Sequence, residues 1–187
     1  NLENLSAVLS VEQTKPMAEQ LAAIHRQLER TLQRARLAPE QSRGERFSTE
    51  TDLPALVSTL QSLFPHLEIN LQSASAGDWP YDREDMTELL GNLIDNGCKW
   101  ATSKVNLAWR SDAAGLQLCI EDDGPGIPEN EREEVLARGK RLDQQMQGHG
   151  LGLGIVADLV AAYEGQLVLA ESAMGGLKVS VLLPLRA

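Results

Sequence analysis

Four polar residues, Glu88, Asn92, Asn96 and Lys99, recur every three or four positions within residues 83 to 101, a stretch otherwise patterned as an ordinary amphipathic helix. That spacing puts them on one face. Amide oxygens on adjacent turns suit a hard divalent cation such as Mg²⁺, which prefers oxygen donors and keeps several waters. A lysine one turn further on suits a phosphate. The same spacing also serves a merely solvated helix face, so the stripe acquires meaning only from what else the chain brings near it.

Three further stretches carry chemistry. "EDDGPGIP", residues 121 to 128, follows an apolar strand, where carboxylates often face a crevice. Gly124 and Gly126 let the backbone approach a flat ligand closely, and Pro125 fixes the turn. One aspartate here could accept from the exocyclic amine of a base, although Asp, Gly and Pro also build plain tight turns. "GHGLGLG", residues 148 to 154, opens a helix with closely spaced glycines, and exposed N–H groups at the positive end of a helix dipole make an anion site. The spacing is not the dinucleotide-binding fingerprint and no Walker lysine follows, so a flexible glycine loop is the alternative. Just before it, "ARGKRLDQQMQ" gathers Arg138, Lys140 and Arg141 in an otherwise acidic chain, where charge-assisted bonds could hold a triphosphate.

Positioning these groups requires a sheet with helices. In the helix from 83 to 101, Leu89, Leu90, Leu93, Ile94 and Cys98 form the side to be buried. A capping pattern at Thr51 and Asp52, with Pro54, opens a helix over 52 to 63, and "HLEINLQS" alternates as a strand. "KVNLAWR" and "GLQLCIED" read as a hairpin turning at "SDAAG". A short helix after the Asp-Gly loop, a loop over 138 to 149, a helix over 150 to 163 and strands near 166 to 171 and 177 to 184 complete the pattern. Runs of strands with helices to one side predict an α+β fold, a two-layer α/β sandwich. Upstream, residues 1 to 10 and an amphipathic helix from 16 to 37 (Met17, Leu21, Ile24, Leu28, Leu32, Ala35) suggest a thin hairpin that pairs with a second copy. The domains expected are thus 1 to 38 as hairpin, a polar linker over 39 to 51, and 52 to 187 as the main domain.

Composition narrows the classes. A chain of 187 residues, 42% hydrophobic, can bury a core. A net charge of -10, from 27 acidic and 17 basic residues, argues against nucleic acid and anionic lipid as partners. Two cysteines without metal-ligand spacing point to a reducing compartment rather than a disulfide framework. The longest apolar run, Leu151 to Tyr163, contains Asp158 and is too short to span a membrane. The chain starts without Met, which suggests a piece of a longer protein.

In this order of motifs the chain resembles the ATP-binding catalytic domain of a sensor histidine kinase, a member of the GHKL ATPase superfamily, over residues 50 to 187. The asparagine box is "NLIDNGCKW", the first glycine box "DDGPGIP" and the second "GHGLGLG", while "GGLKVSVLLP" resembles the closing strand. "DNGCKW", "EDDGPGIP" and "RGKRLDQQMQGHGLGLG" look most like the PhoQ type of Mg²⁺-responsive sensor. The resemblance implies ATP and Mg²⁺ as cofactors, with Asn92 and Asn96 as metal ligands. Lys99 would touch phosphate and Trp100 would stand against the nucleotide. Asp122 would accept from the adenine amino group, helped by Gly124, Gly126 and Ile127. Arg138 and Arg141 would contact phosphate from the lid, so that Asn96, Lys99 and Arg141 form the catalytic set. Gly148, His149 and Gly150, followed by Leu151, Gly152 and Leu153, would close over the phosphates.

The chain departs from that family in several places. Val135 and Leu136 stand where a lid-anchoring phenylalanine is expected, His149 where PhoQ-type relatives show Gln, and Met146 where they show Arg. None of His25, His66 and His149 is followed by the acidic residue and Thr-Pro pair of a phosphoacceptor box, and His25 reads equally as a bundle histidine. The acceptor is therefore expected upstream of Asn1. The implied function is transfer of the ATP γ-phosphate to that histidine, for relay to a response regulator. The implied setting is a homodimer joined by the hairpin, on the cytoplasmic side of a bacterial inner-membrane sensor, with the membrane reached only through other segments. A GHKL ATPase, an anti-sigma serine kinase and a degenerate nucleotide-sensing module are the alternatives.

Overall fold

The computed structural model describes residues 45–73, 77–141 and 151–185, with the backbone alone at 137–141 and 151. The chain divides between Arg43 and Gly44, and the described residues belong to the second unit. The expected hairpin, with His25, lies outside them.

Eleven elements are described. They are β1 (Arg46–Phe47), α1 (Asp52–Leu63), β2 (Glu68–Ser73), β3 (Trp79–Asp82), α2 (Arg83–Trp100), β4 (Lys104–Asp112), β5 (Gly115–Asp122), α3 (Glu129–Arg141), α4 (Leu151–Ala162), β6 (Gln166–Glu171) and β7 (Leu177–Leu183). A five-stranded sheet runs β2-β4-β5-β7-β6, parallel between β2 and β4 and antiparallel elsewhere, and β1 pairs with β3 in a separate ribbon. Alternation along the strands sends Val105, Leu107, Leu118, Ile120, Val179 and Val181 into the core. The intervening Asn106, Arg110, Gln117 and Ser180 lie on the other face, whose open trough of about 500 Å³ includes Arg110, Cys119 and Lys178. The helices pack on the first face only, the two-layer arrangement read from the sequence.

Helix α2 is the center of the core. Asp82 caps it by accepting from the N–H groups of Glu84 (2.9 Å) and Asp85 (3.2 Å), and acidic residues in the first turn and Lys99 in the last complement the helix dipole. Its apolar side, Met86, Leu89, Leu90, Leu93, Ile94 and Cys98, is buried. Gly97 makes the closest approach to the sheet: a Cβ there would sit 3.2 Å from Val105 Cγ1 and 3.6 Å from Ile120 Cγ2. Burial, then the charge of Asp95, pushes the Cys98 thiol up to about 11, so it packs as a small apolar group. At the other end of the helix pair, Tyr163 just beyond α4 donates to Asp85 Oδ2 (2.6 Å) and its ring meets Tyr81 edge-on at 5.5 Å.

Three boundaries differ from the sequence reading. The supposed linker over 39 to 51 includes Phe47, which is 0% exposed and stacks on Trp79 with centroids 5.1 Å apart. One aromatic between polar neighbors leaves too short a pattern to register as a strand. Helix α1 begins at Asp52 as expected, but Thr51 makes no side-chain cap; Asp52 Oδ2 instead accepts from Ser48 N–H (2.9 Å). Arg83 then ties this corner together through Asp52 and Glu45, each at 2.7 Å. Helix α3 runs to Arg141, into the stretch read as a loop, and β4 runs to Asp112, which leaves a tighter hairpin turn. Phe47→Ala should lower the unfolding free energy by about 3 kcal/mol or more, the usual cost of a phenylalanine-sized cavity. Urea unfolding of the full chain measures this, and a loss below about 1 kcal/mol would return residue 47 to a linker.

Candidate functional site

The two neighboring aspartates at the end of β5 have opposite surroundings because strand alternation points them in opposite directions. Ile120 and Asp122 face inward, and Asp122 is only 2% exposed. Its Oδ1 accepts from the N–H groups of Gly124 (2.9 Å) and Leu177 (3.2 Å). Oδ2 has no hydrogen-bond partner among the described residues and is not sealed from solvent. One carboxylate oxygen is thus fixed by the backbone and the other keeps its accepting capacity. Gly176 permits this packing, since a Cβ there would collide with Asp122 and with Gly124 N, 2.6 Å away. Burial raises the Asp122 carboxyl above the usual carboxylate range, the two backbone bonds oppose that shift, and the Asp123 charge adds to it.

Asp123 points the other way and collects donors. It accepts from Thr102 N–H (2.8 Å), Ser103 N–H (3.0 Å), Lys104 N–H (3.0 Å) and Ser103 Oγ–H (2.5 Å). These donors lie in the turn that leaves α2 and starts β4. The Ser103 hydroxyl and amide bonds hold the Asp123 carboxyl well below its ordinary value. Sequence reasoning missed this role. Alternation outward from Ile120 was the available signal for telling the two aspartates apart.

On α2, Asn92 donates from Nδ2 to Glu88 O (2.8 Å), which turns its Oδ1 outward toward the start of α4; a Cβ on Gly152 would lie 3.4 Å from that oxygen. The side chain of Asn96, one turn on, makes no hydrogen bond with a described residue. Two half-buried amide oxygens on successive turns therefore fit a hard cation that is completed by water and by an anionic ligand. No cluster of three or more His, Cys, Asp or Glu suited to a metal occurs among the described residues. Lys99 extends from the same helix but is held by Asp95 at 2.6 Å, an i,i+4 pair legible in the spacing and not weighed there. Trp100 is 46% exposed at the helix end, and its carbonyl lies against Gly124, where a Cβ would come within 2.8 Å of the Trp100 carbonyl carbon.

The structure thus sets Gly152 against Asn92 and gathers Trp100, Asp122, Gly124 and, through Gly176, Gly126 at the end of α2, with Asn96 and Lys99 on the helix between the two groups. Ile127 and Leu153 pack on or within the adjoining core, and Ile127 O accepts from Arg132 Nε (2.9 Å). Val135 and Leu136, in the place of the expected phenylalanine, are half buried against the same core. Arg138 and Arg141 belong to the last turns of α3, with side chains outside the described residues, as is that of Leu151. Met146, Gly148, His149 and Gly150 also lie outside them. The trough on the far face of the sheet contains none of the candidate residues.

Residues 81–187 match the family model described as histidine kinase-, DNA gyrase B- and HSP90-like ATPase. The chain belongs to that family. It is 46% identical over 171 residues to the sensor protein kinase CarS of Pseudomonas aeruginosa, covering 91% of this chain and 38% of CarS. It is 31% identical over 185 residues to the sensor protein PhoQ of Escherichia coli, covering 95% of this chain and 37% of PhoQ. The chain therefore spans well under half the length of these relatives. Among solved structures, the mycobacterial sensor histidine kinase MprB aligns with TM-score 0.62 and 25% identity over 75% of this chain and 97% of that one. The ATP binding domain of PrrB from Mycobacterium tuberculosis aligns with TM-score 0.58 and 25% identity over 73% and 93%. The two-layer sandwich is the fold these structures share.

The paired aspartates make a pH prediction. Asp123, with its folded pKa lowered, adds stability above its unfolded pKa near 4 that is lost as pH falls. Asp122, with its folded pKa raised, adds stability below that value that is lost as pH rises. The two slopes oppose each other in the acid range. Urea unfolding from pH 6 to pH 3 should show a shallower acid loss for Asp123→Asn and a steeper one for Asp122→Asn than for the wild type. Parallel curves for all three proteins would contradict the assignment.

Proposed function

We propose that residues 45–185 are the ATP-binding catalytic part of a two-component sensor histidine kinase. The single observation that carries this reading is the buried Asp122, with one carboxylate oxygen fixed and the other presented, beside an asparagine-lined helix in a chain of this ATPase family. The names of the sensor protein kinase CarS and the sensor histidine kinase MprB support the choice of kinase over other members of the family.

On this reading Asp122 Oδ2 accepts from the adenine amino group, and Trp100 and Ile127 provide apolar surface for the base. Asn92 and Asn96 would hold Mg²⁺ through their amide oxygens. Bound Mg²⁺ supplies neutralization of phosphate charge. Lys99 leaves Asp95 to meet phosphate, an exchange made easy by the small worth of a half-exposed i,i+4 pair. Arg138, Arg141 and the second glycine box, with Gly148, His149, Gly150, Leu151, Gly152 and Leu153, close over the triphosphate. Catalysis then consists of placement and charge neutralization. A histidine imidazole attacks the γ-phosphorus, a nitrogen–phosphorus bond forms, and the bond to the departing ADP breaks. The acceptor is a histidine other than His25, His66 and His149, carried on a helical hairpin that joins two copies, and a response regulator takes the phosphoryl group. The catalytic part works on the cytoplasmic side of an inner-membrane sensor. No helix among the described residues is long and apolar enough to cross a membrane.

Calorimetric titration with ATP, with and without Mg²⁺, tests the nucleotide site. Asn96→Ala should weaken Mg²⁺-dependent binding by about a hundredfold or more, the upper range for disturbed metal ligation, with an unchanged circular dichroism spectrum. Unaltered affinity would remove Asn96 from the site. A separate incubation with γ-labeled ATP tests the chemistry. The chain alone should form no acid-labile phosphohistidine, whereas an added hairpin bearing a full acceptor box should become labeled. Labeling of the chain on one of its own histidines would refute that assignment of the acceptor.

A further inference from the structure

Asp123 joins the two halves of the proposed cleft. It sits immediately after Asp122, yet its bonds run to Thr102, Ser103 and Lys104, the turn directly following Trp100. Asp123 N–H in turn donates to Lys104 O (3.3 Å), and Gly124 lies against the Trp100 carbonyl. The exit of α2, which ordinarily leaves several polar groups to water, is thereby tied to the loop that presents Asp122. The β4–β5 ladder, which pairs Val105 with Asp122, joins the strands behind this corner, and the Asp123 bonds extend the link to the helix exit itself. Ala101 N–H returns to Gly97 O within the helix, and Asp122 is held by Gly124 and Leu177 on its other side.

We infer that Asp123 is a positioning residue, whose carboxylate sets the separation between the base acceptor Asp122 and the helix end that bears Lys99 and Trp100. The inference rests on the nucleotide reading above. A nucleotide spans both halves of the cleft, the base on Asp122 and the phosphates along α2. Loosening the tie would therefore weaken a ligand that bridges the halves and spare one that uses only the phosphate wall. Geometry also specifies the conservative change. Three N–H groups share Oδ1, while Oδ2 accepts from the Ser103 hydroxyl and, at 3.1 Å, from Ser103 N–H as well, so an asparagine carbonyl oxygen can keep the Oδ1 set.

The test compares Mg·ATP with Mg·tripolyphosphate, the latter by competition, on the full chain carrying Asp123→Ala, Asp123→Asn or Ser103→Ala. Asp123→Ala should weaken Mg·ATP tenfold or more and change tripolyphosphate less than twofold. Asp123→Asn should recover ATP affinity to within threefold of wild type. Ser103→Ala removes only the hydroxyl bond and should cost ATP two- to threefold, which keeps a readout if Asp123→Ala does not fold. Equal losses for both ligands would mark Asp123 as a general structural group and overturn the inference. So would wild-type ATP affinity in folded Asp123→Ala or, if that variant does not fold, in Ser103→Ala. A wild-type chain that binds no Mg·ATP would instead sink the nucleotide reading itself.

Discussion

The close contact of α2 with the sheet at Gly97 is the constraint on which the remaining geometry depends. With no Cβ at that point, the helix settles against Val105 and Ile120, strands β4 and β5. That seating buries the apolar side of α2 and leaves its polar stripe along the edge of the core rather than in open water. It also delivers the end of the helix to the level at which β5 ends. Trp100 and Gly124 then touch, which brings the end of the helix that carries the asparagines and the lysine up to the loop that follows the buried aspartate.

Close packing at the end of β5 also separates two chemically identical side chains. Asp122 is enclosed by Gly124, Gly176 and Leu177, and burial disfavors its charge while two N–H groups fix one oxygen. Asp123, one residue on, is turned toward a cluster of donors that strongly favors its charge. One keeps an oxygen without a partner among the described residues, and the other is fastened to the turn after α2. Such division of labor between adjacent carboxylates comes from strand alternation plus the chain segments that happen to flank each face.

The helix pair illustrates how the phosphate side is arranged. Tyr163 and Asp85 join one end of α4 to the beginning of α2, while Gly152 at the other end approaches Asn92. The start of α4, where helix N–H groups are open, therefore faces the Asn92 amide. Lys99 completes the wall from the same helix, paired for now with Asp95.

Much of this was legible in the sequence where local pattern suffices. The period of α2, the alternation of β4, β5 and β7, and the order of asparagine helix, Asp-Gly loop and glycine-rich helix start all follow from neighbors within a few residues. That order was enough for the fold and the family. Phe47 was hidden because a two-residue strand has no period, and its burial depends on Trp79, more than thirty residues away. Asp123, Gly176 and the outward turn of Asn92 were hidden for the same reason, since each is defined by a partner that sequence distance conceals. The amino-acid sequence by itself determined which chemical groups are present and which face of each element carries them, because helical and strand periods are local. Only the tertiary structure decided which groups meet and which aspartate stays open to a ligand, because those outcomes depend on packing between segments distant along the chain.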